Sequence, residues 1–135
     1  MGKNNATTRI DEFGTTFLSY YSGRFSVTTV DKIDDFIEHF ESKGLWGWKG
    51  KLGPSSKVPT AAQNRVLIVA KARKYGLWHV HIGDPHFSDT WHGNYCVSDW
   101  VLHFQKISVN HIKLLELGFH NPMELPSEAL ILEKG

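Results

Sequence analysis

Apolar residues recur along the chain with two periods, and the change from one to the other divides it. Ile33, Phe36, Ile37 and Phe40 fall at i, i+3, i+4 and i+7, one stripe of a helix capped by Asp31 and closed by Gly44. Ahead of it, residues 24–30 (RFSVTTV) are β-branched and alternate enough to predict a strand. After Pro59, Thr60 and Gln63 form a capping box that predicts a helix running to about Tyr75 and stopping at Gly76. The run 66–69 also fits a buried strand, but length and the cap favour helix. From Leu77 the period is two: Trp78, Val80 and Ile82 share one face of a strand, and His79 and His81 share the other. Residues 100–106 alternate again, with Trp100, Leu102 and Phe104 opposite Val101, His103 and Gln105. A turn near residues 108–110 then predicts an antiparallel hairpin with residues 111–117.

These elements predict an α+β domain in the order β-α-α-β-β-β, two helices packed on a mainly antiparallel sheet. At 135 residues the chain suits one domain. Residues 1–23 are weakly patterned and read as a partly mobile arm that docks through Phe13, Phe17, Tyr20 and Tyr21, leaving 24–135 as the domain. Residues 123–132 fit either a closing helix started at Ser127 or a segment on the sheet edge.

Composition narrows the class. Hydrophobic residues make up 41% and charged residues 21%, with 12 Gly and 5 Pro, which excludes collagen-like, disulfide-scaffold and wholly disordered chains. No apolar run approaches the roughly 20 residues of a membrane span, and the polar start lacks the apolar core of a secretory signal. The single cysteine, Cys96, cannot form an internal disulfide, so the cytoplasm is the expected compartment, with no membrane partner.

Charge changes the picture more. The net charge of +1 conceals eight Lys and Arg between Lys43 and Lys74 with no Asp or Glu among them. Such segregation points to a cationic surface for an anionic partner, whether nucleic acid, a phosphate ligand or an acidic protein. Lys49, Lys51, Lys57, Lys71 and Lys74 are the expected RNA-binding cations, with Trp46 and Trp48 as stacking platforms. The glycines of the 45–59 loop match neither a P-loop nor a dinucleotide fingerprint, which argues against nucleotide-triphosphate chemistry.

The element order, together with the strand Leu77-Trp78-His79-Val80-His81-Ile82, the segment Asn94-Tyr95-Cys96 and the strand Trp100-Val101-Leu102-His103 leading into Asn110-His111-Ile112-Lys113, resembles the RelE/YoeB-type ribonuclease toxins of bacterial toxin–antitoxin pairs, the YafO toxin family in particular. The likeness covers roughly residues 35–124; the N-terminal arm and the Gly/Lys-rich loop have no counterpart in it. It implies a RelE-like fold and a toxin that cleaves mRNA, commonly on the ribosome, without a metal or other cofactor, and that a cognate antitoxin protein neutralises. It further implies a reaction in which a 2′-hydroxyl attacks its own phosphodiester, which needs a base, an acid and cationic support for the phosphorane. Histidine serves either proton-transfer role near neutrality, and the chain has eight. His79 and His81, about 7 Å apart on one strand face, can flank a phosphate. His103 can join them, Tyr95 offers a phenol, and Arg73 with the loop lysines offers charge. Two other readings use the same residues. His79 and His81 with His86, His92 or Asp84 can hold zinc, or the lysines with Trp46, Trp48 and Trp91 can bind RNA without catalysis. Cys96 lacks the setting of a nucleophile and reads as a small buried apolar residue.

Overall fold

The Ser26 hydroxyl accepts a hydrogen bond from the Thr29 N–H and starts a helix there, so residues 27–30 are its first turn and not a strand. The expected Asp31 cap is corrected with it: the β-branched run favours a strand only weakly, and a serine cap plus a buried helical stripe outweighs that preference. The computed structural model describes residues 7–58, 64–120 and 123–135. Its elements are β1 (Ile10–Phe13), α1 (Thr15–Gly23), α2 (Val27–Lys43), β2 (Leu52–Pro54), α3 (Arg65–Tyr75), β3 (Leu77–Asp84), β4 (Ser88–Asp89), β5 (Cys96–Val97), β6 (Trp100–Ser108), β7 (His111–Phe119) and α4 (Glu128–Ile131). The capping box at Thr60 and Gln63 lies outside the described residues; the helix it was expected to open does end at Gly76, in the left-handed conformation that glycine adopts without strain. Residues 123–132 resolve toward the closing helix, with Ser127 as its cap.

The protein is α+β with a mainly antiparallel sheet of order β1-β7-β6-β3-β2, in which only the β1/β7 pair is parallel. The element order is richer than the expected β-α-α-β-β-β. The segment expected as an arm supplies β1 and α1, and three of its four rings dock: Phe17 is buried and Phe13 and Tyr21 pack edge-on against each other, while Tyr20 is exposed. β1 is short and polar, and pairing to the β7 edge is what holds it extended.

Helices cover both faces of the sheet. On one, Phe17 of α1 and Ile33, Phe36 and Phe40 of α2 bury Val80, Ile82, Leu102, Phe104, Ile112 and Leu114. Full burial of each such phenylalanine contributes about 1.5–3 kcal/mol. On the other, Ala72 of α3 and Ile131 of α4 close over Leu77 and Leu115 only. The remainder of that face, where His79, His81 and His103 stand, is left to loops. Among the described residues no helix is long and apolar enough to cross a membrane.

The placement of the α2 cap is directly testable. Ser26→Ala should cost about 1 kcal/mol in urea unfolding, whereas Asp31→Ala, on an exposed position of the helix, should stay within about 0.5 kcal/mol. The reverse order would put the helix start at residue 31.

Candidate functional site

Strand alternation places His79 and His81 side by side, with ring centroids 6.2 Å apart. β6 runs antiparallel to β3 with His103 directly opposite His79, again at 6.2 Å between centroids. A fourth imidazole, His120, follows the end of β7, where its backbone N–H donates to the Asp99 carbonyl at 2.7 Å. Its ring lies 5.9 Å from that of His79 and 4.7 Å from that of His81. Gly118 makes room for this packing: a methyl group there would stand 3.1 Å from His103 Nε2.

The imidazoles are held from behind. His79 Nδ1 and the buried Ser55 hydroxyl are 2.9 Å apart. His81 Nδ1 sits against the Ser98 backbone, 2.8 Å from its N and 2.9 Å from its O. The Ser98 N–H donates to His81 Nδ1, and in the other tautomer Nδ1 donates to the Ser98 carbonyl and leaves the lone pair on Nε2. Nε2 is buried and, among the described residues, without a partner, as are both ring nitrogens of His103. Unpaired buried polar atoms cost about 1–3 kcal/mol each. Burial pushes His79 down to about 3, and the His103, His81 and His120 rings add to the effect. Burial likewise takes His81 and His103 to about 4. His120 is half-buried and lowered too, by burial first and then by the Lys51 ammonium. At neutral pH the three deep rings are therefore uncharged.

His79 and His120 open into a groove of ≈ 1790 Å³ along which Lys51, Lys57, Lys71 and Lys106 stand. Lys51 is the cation that bears on His79, His81 and His120. Its backbone is stitched between two strands, its N–H donating to the Cys96 carbonyl and its carbonyl accepting from His81 N–H. Neighbouring Gly50 permits that approach, because any side chain there would collide with the His81 carbonyl. The Lys51 ammonium lies 5.5 Å from the centre of the Tyr95 ring, so Tyr95 forms part of the groove wall beside the cluster.

The other expected residues divide. Trp46 borders the groove and is 76% exposed, as a platform must be. Trp48 borders it too but serves mainly as a plug, packing on Phe36 and donating its indole N–H to the His81 carbonyl. Lys49 lies over the Phe87 ring and Lys74 over that of Tyr75; neither lines the groove. Arg73 is exposed and also outside it, a correction that follows from helix geometry: two residues from Lys71 is about 200° around α3. The expected third metal ligand is corrected as well. Asp84 accepts from Thr29, His92 bonds Thr90, His86 is exposed, and the third imidazole near His79 and His81 is His120. Cys96 is half-buried on β5, not a core residue. His120, Lys106, Ser55 and Ser98 were missed. For His120 alternation alone misleads: carried on from Ile112 and Leu114 it would put Gly118 and His120 on the face of Phe104, and the irregularity at Leu115, between the Phe104/Leu114 and His103/Glu116 pairs, brings them to the face of His103.

Proton linkage follows from the cluster. Below their ordinary 6.5, these histidines take up protons in the unfolded chain while His79 resists down to about 3 and His81 and His103 to about 4. The unfolded state thus binds more protons, and stability falls as pH falls through that window, by up to about 1.4 kcal/mol per pH unit and group. Urea unfolding between pH about 7.5 and about 4.5 should show this decline, shallower in His103→Gln. A flat profile would contradict the buried, neutral state.

Compared with protein-family models, with curated proteins and with solved structures, the chain matches none.

Proposed function

We propose that the protein is an endoribonuclease that cleaves mRNA, and so inhibits translation, as a toxin of the RelE and YafO kind, its fold a variant of theirs, with the ribosome as its setting and an antitoxin protein as its neutralising partner. One observation carries this reading: a groove set with four lysines leads to a histidine cluster, and two of its imidazoles, His79 and His120, open into the groove beside Lys51. The stretches that carry the family resemblance also build this place, since β3 supplies His79 and His81, Asn94 and Tyr95 line the wall, and β6 supplies His103.

In the proposed reaction a phosphodiester seats against Lys51 and its backbone continues along Lys57, Lys71 and Lys106. Neutral His79 accepts the proton of the substrate's 2′-hydroxyl, whose oxygen bonds to phosphorus. The P–O5′ bond breaks, and His120 donates a proton to the departing 5′-oxygen, leaving a 2′,3′-cyclic phosphate and a 5′-hydroxyl. Lys51 stabilises the charge that gathers on the phosphorane oxygens. The negative phosphate restores to His120 the proton that burial and Lys51 disfavour in the empty groove. His81 and His103 orient the two reacting rings from beneath, and Trp46 stacks a flanking base.

His79→Gln and His120→Gln should each lower cleavage by about 10²–10⁴-fold while ribosome or RNA binding stays near the parent level, and EDTA should have no effect. Primer extension on mRNA from cells after induction reads the outcome; intact mRNA and normal growth at high soluble expression would remove the proposal. The pH dependence is equally specific. The base titrates near 3 and the acid below its ordinary 6.5, so kcat/KM should peak on the acid side of neutrality and decline as His120 loses its proton. An alkaline optimum would exclude His120 as the acid.

A further inference from the structure

We propose that His79, His81 and His120 also form a binding site for one divalent transition-metal ion of the zinc class, and that occupancy of this site switches the ribonuclease off. The first half stands on geometry alone; the second rests on the ribonuclease reading. One ring nitrogen from each of the three histidines lies within 4.8 Å of the others. Zinc–nitrogen bonds of about 2.0–2.1 Å in a tetrahedron set ligand nitrogens about 3.3 Å apart. Small rotations of the rings close that gap, and His120, beyond the end of β7 and only half-buried, is the ring freest to move.

Two further features fit a metal. Among the described residues His81 Nε2 is buried with no partner. The rings on β3 are held through Nδ1, His79 by Ser55 and His81 by the Ser98 backbone, whose carbonyl can accept from Nδ1–H in the tautomer that turns the Nε2 lone pair toward a metal, as outer groups do for metal-ligating histidines. Three histidines leave a fourth position toward the groove. With Lys51 close by and no carboxylate among the three ligands, that position suits an anion such as chloride, hydroxide or a phosphate oxygen. A metal so bound takes the lone pairs that proton transfer needs on His79 and His120, and activity stops.

Cobalt(II) titrated into tag-free protein reads the site directly. One equivalent should bind with the intense visible absorption of a tetrahedral ion, and zinc should displace it. The signal should be lost in His79→Gln, His81→Gln and His120→Gln and kept in His92→Gln. His120→Gln is decisive because its ring is the least buried of the three; its circular dichroism should match the parent. No stoichiometric cobalt, or an unchanged spectrum in folded His120→Gln, would overturn the site. With RNA present, one equivalent of zinc should lower cleavage at least about tenfold, reversed by EDTA. Stimulation by zinc would overturn the inhibitory half, and no cleavage with or without metal would remove the ribonuclease reading while the cobalt spectrum still decides the site.

Discussion

Among the described residues, helices cover only part of one sheet face, and imidazoles stand on the remainder. α3 and α4 close over Leu77 and Leu115, and beyond them β3 and β6 present His79, His81 and His103 where a core would ordinarily place aliphatic side chains. Desolvation then decides the chemistry. Rings removed from water and crowded against one another are uncharged at neutral pH, and each neutral ring keeps one nitrogen that can accept a proton or a hydrogen bond. The fold bears the cost of the unpaired nitrogens through the larger core on the opposite face, where four phenylalanines are fully buried.

Lys51 is placed by backbone bonding, whereas Lys71 and Lys106 are placed by α3 and β6. The loop around Gly50 runs so close to β3 that only glycine fits, and Lys51 is bonded on one side to Cys96 and on the other to His81. That fixes the start of the ammonium stem beside the cluster. The combination of neutral nitrogens and a fixed cation suits a phosphodiester, whose charge Lys51 attracts and whose hydroxyl neighbour a neutral imidazole can deprotonate. The same lone pairs suit a transition metal, so the proposed proton transfer and the proposed metal site would compete for one set of atoms.

Much of this was legible from alternation. The period of two from Leu77 onward gives β3, the β6/β7 hairpin and the shared face of His79, His81 and His103, because a half-buried strand records its faces in the sequence. The start of α2 was not legible: Val27, Thr28, Thr29 and Val30 favour a strand, and the Ser26 cap with the stripe below it prevails. β1 owes its conformation to a partner about 100 residues away in sequence. The positive run from Lys43 to Lys74 predicts a cationic surface but not which side chains share it, which depends on how α3 is rotated and how the loop is bonded. Ser55 and Ser98 carry no local signal, since their roles exist only once β2 and the 98–100 turn have packed against β3.

The central claim, that the open histidine face performs attack by the substrate's own 2′-hydroxyl, is tested most directly by the ends of the RNA it cuts. A short RNA incubated with the protein in EDTA should yield a 2′,3′-cyclic phosphate and a 5′-hydroxyl, and the same RNA with a single 2′-deoxy nucleotide at the scissile position should stay intact. Products ending in a 5′-phosphate, or cleavage of the 2′-deoxy substrate, would contradict the account.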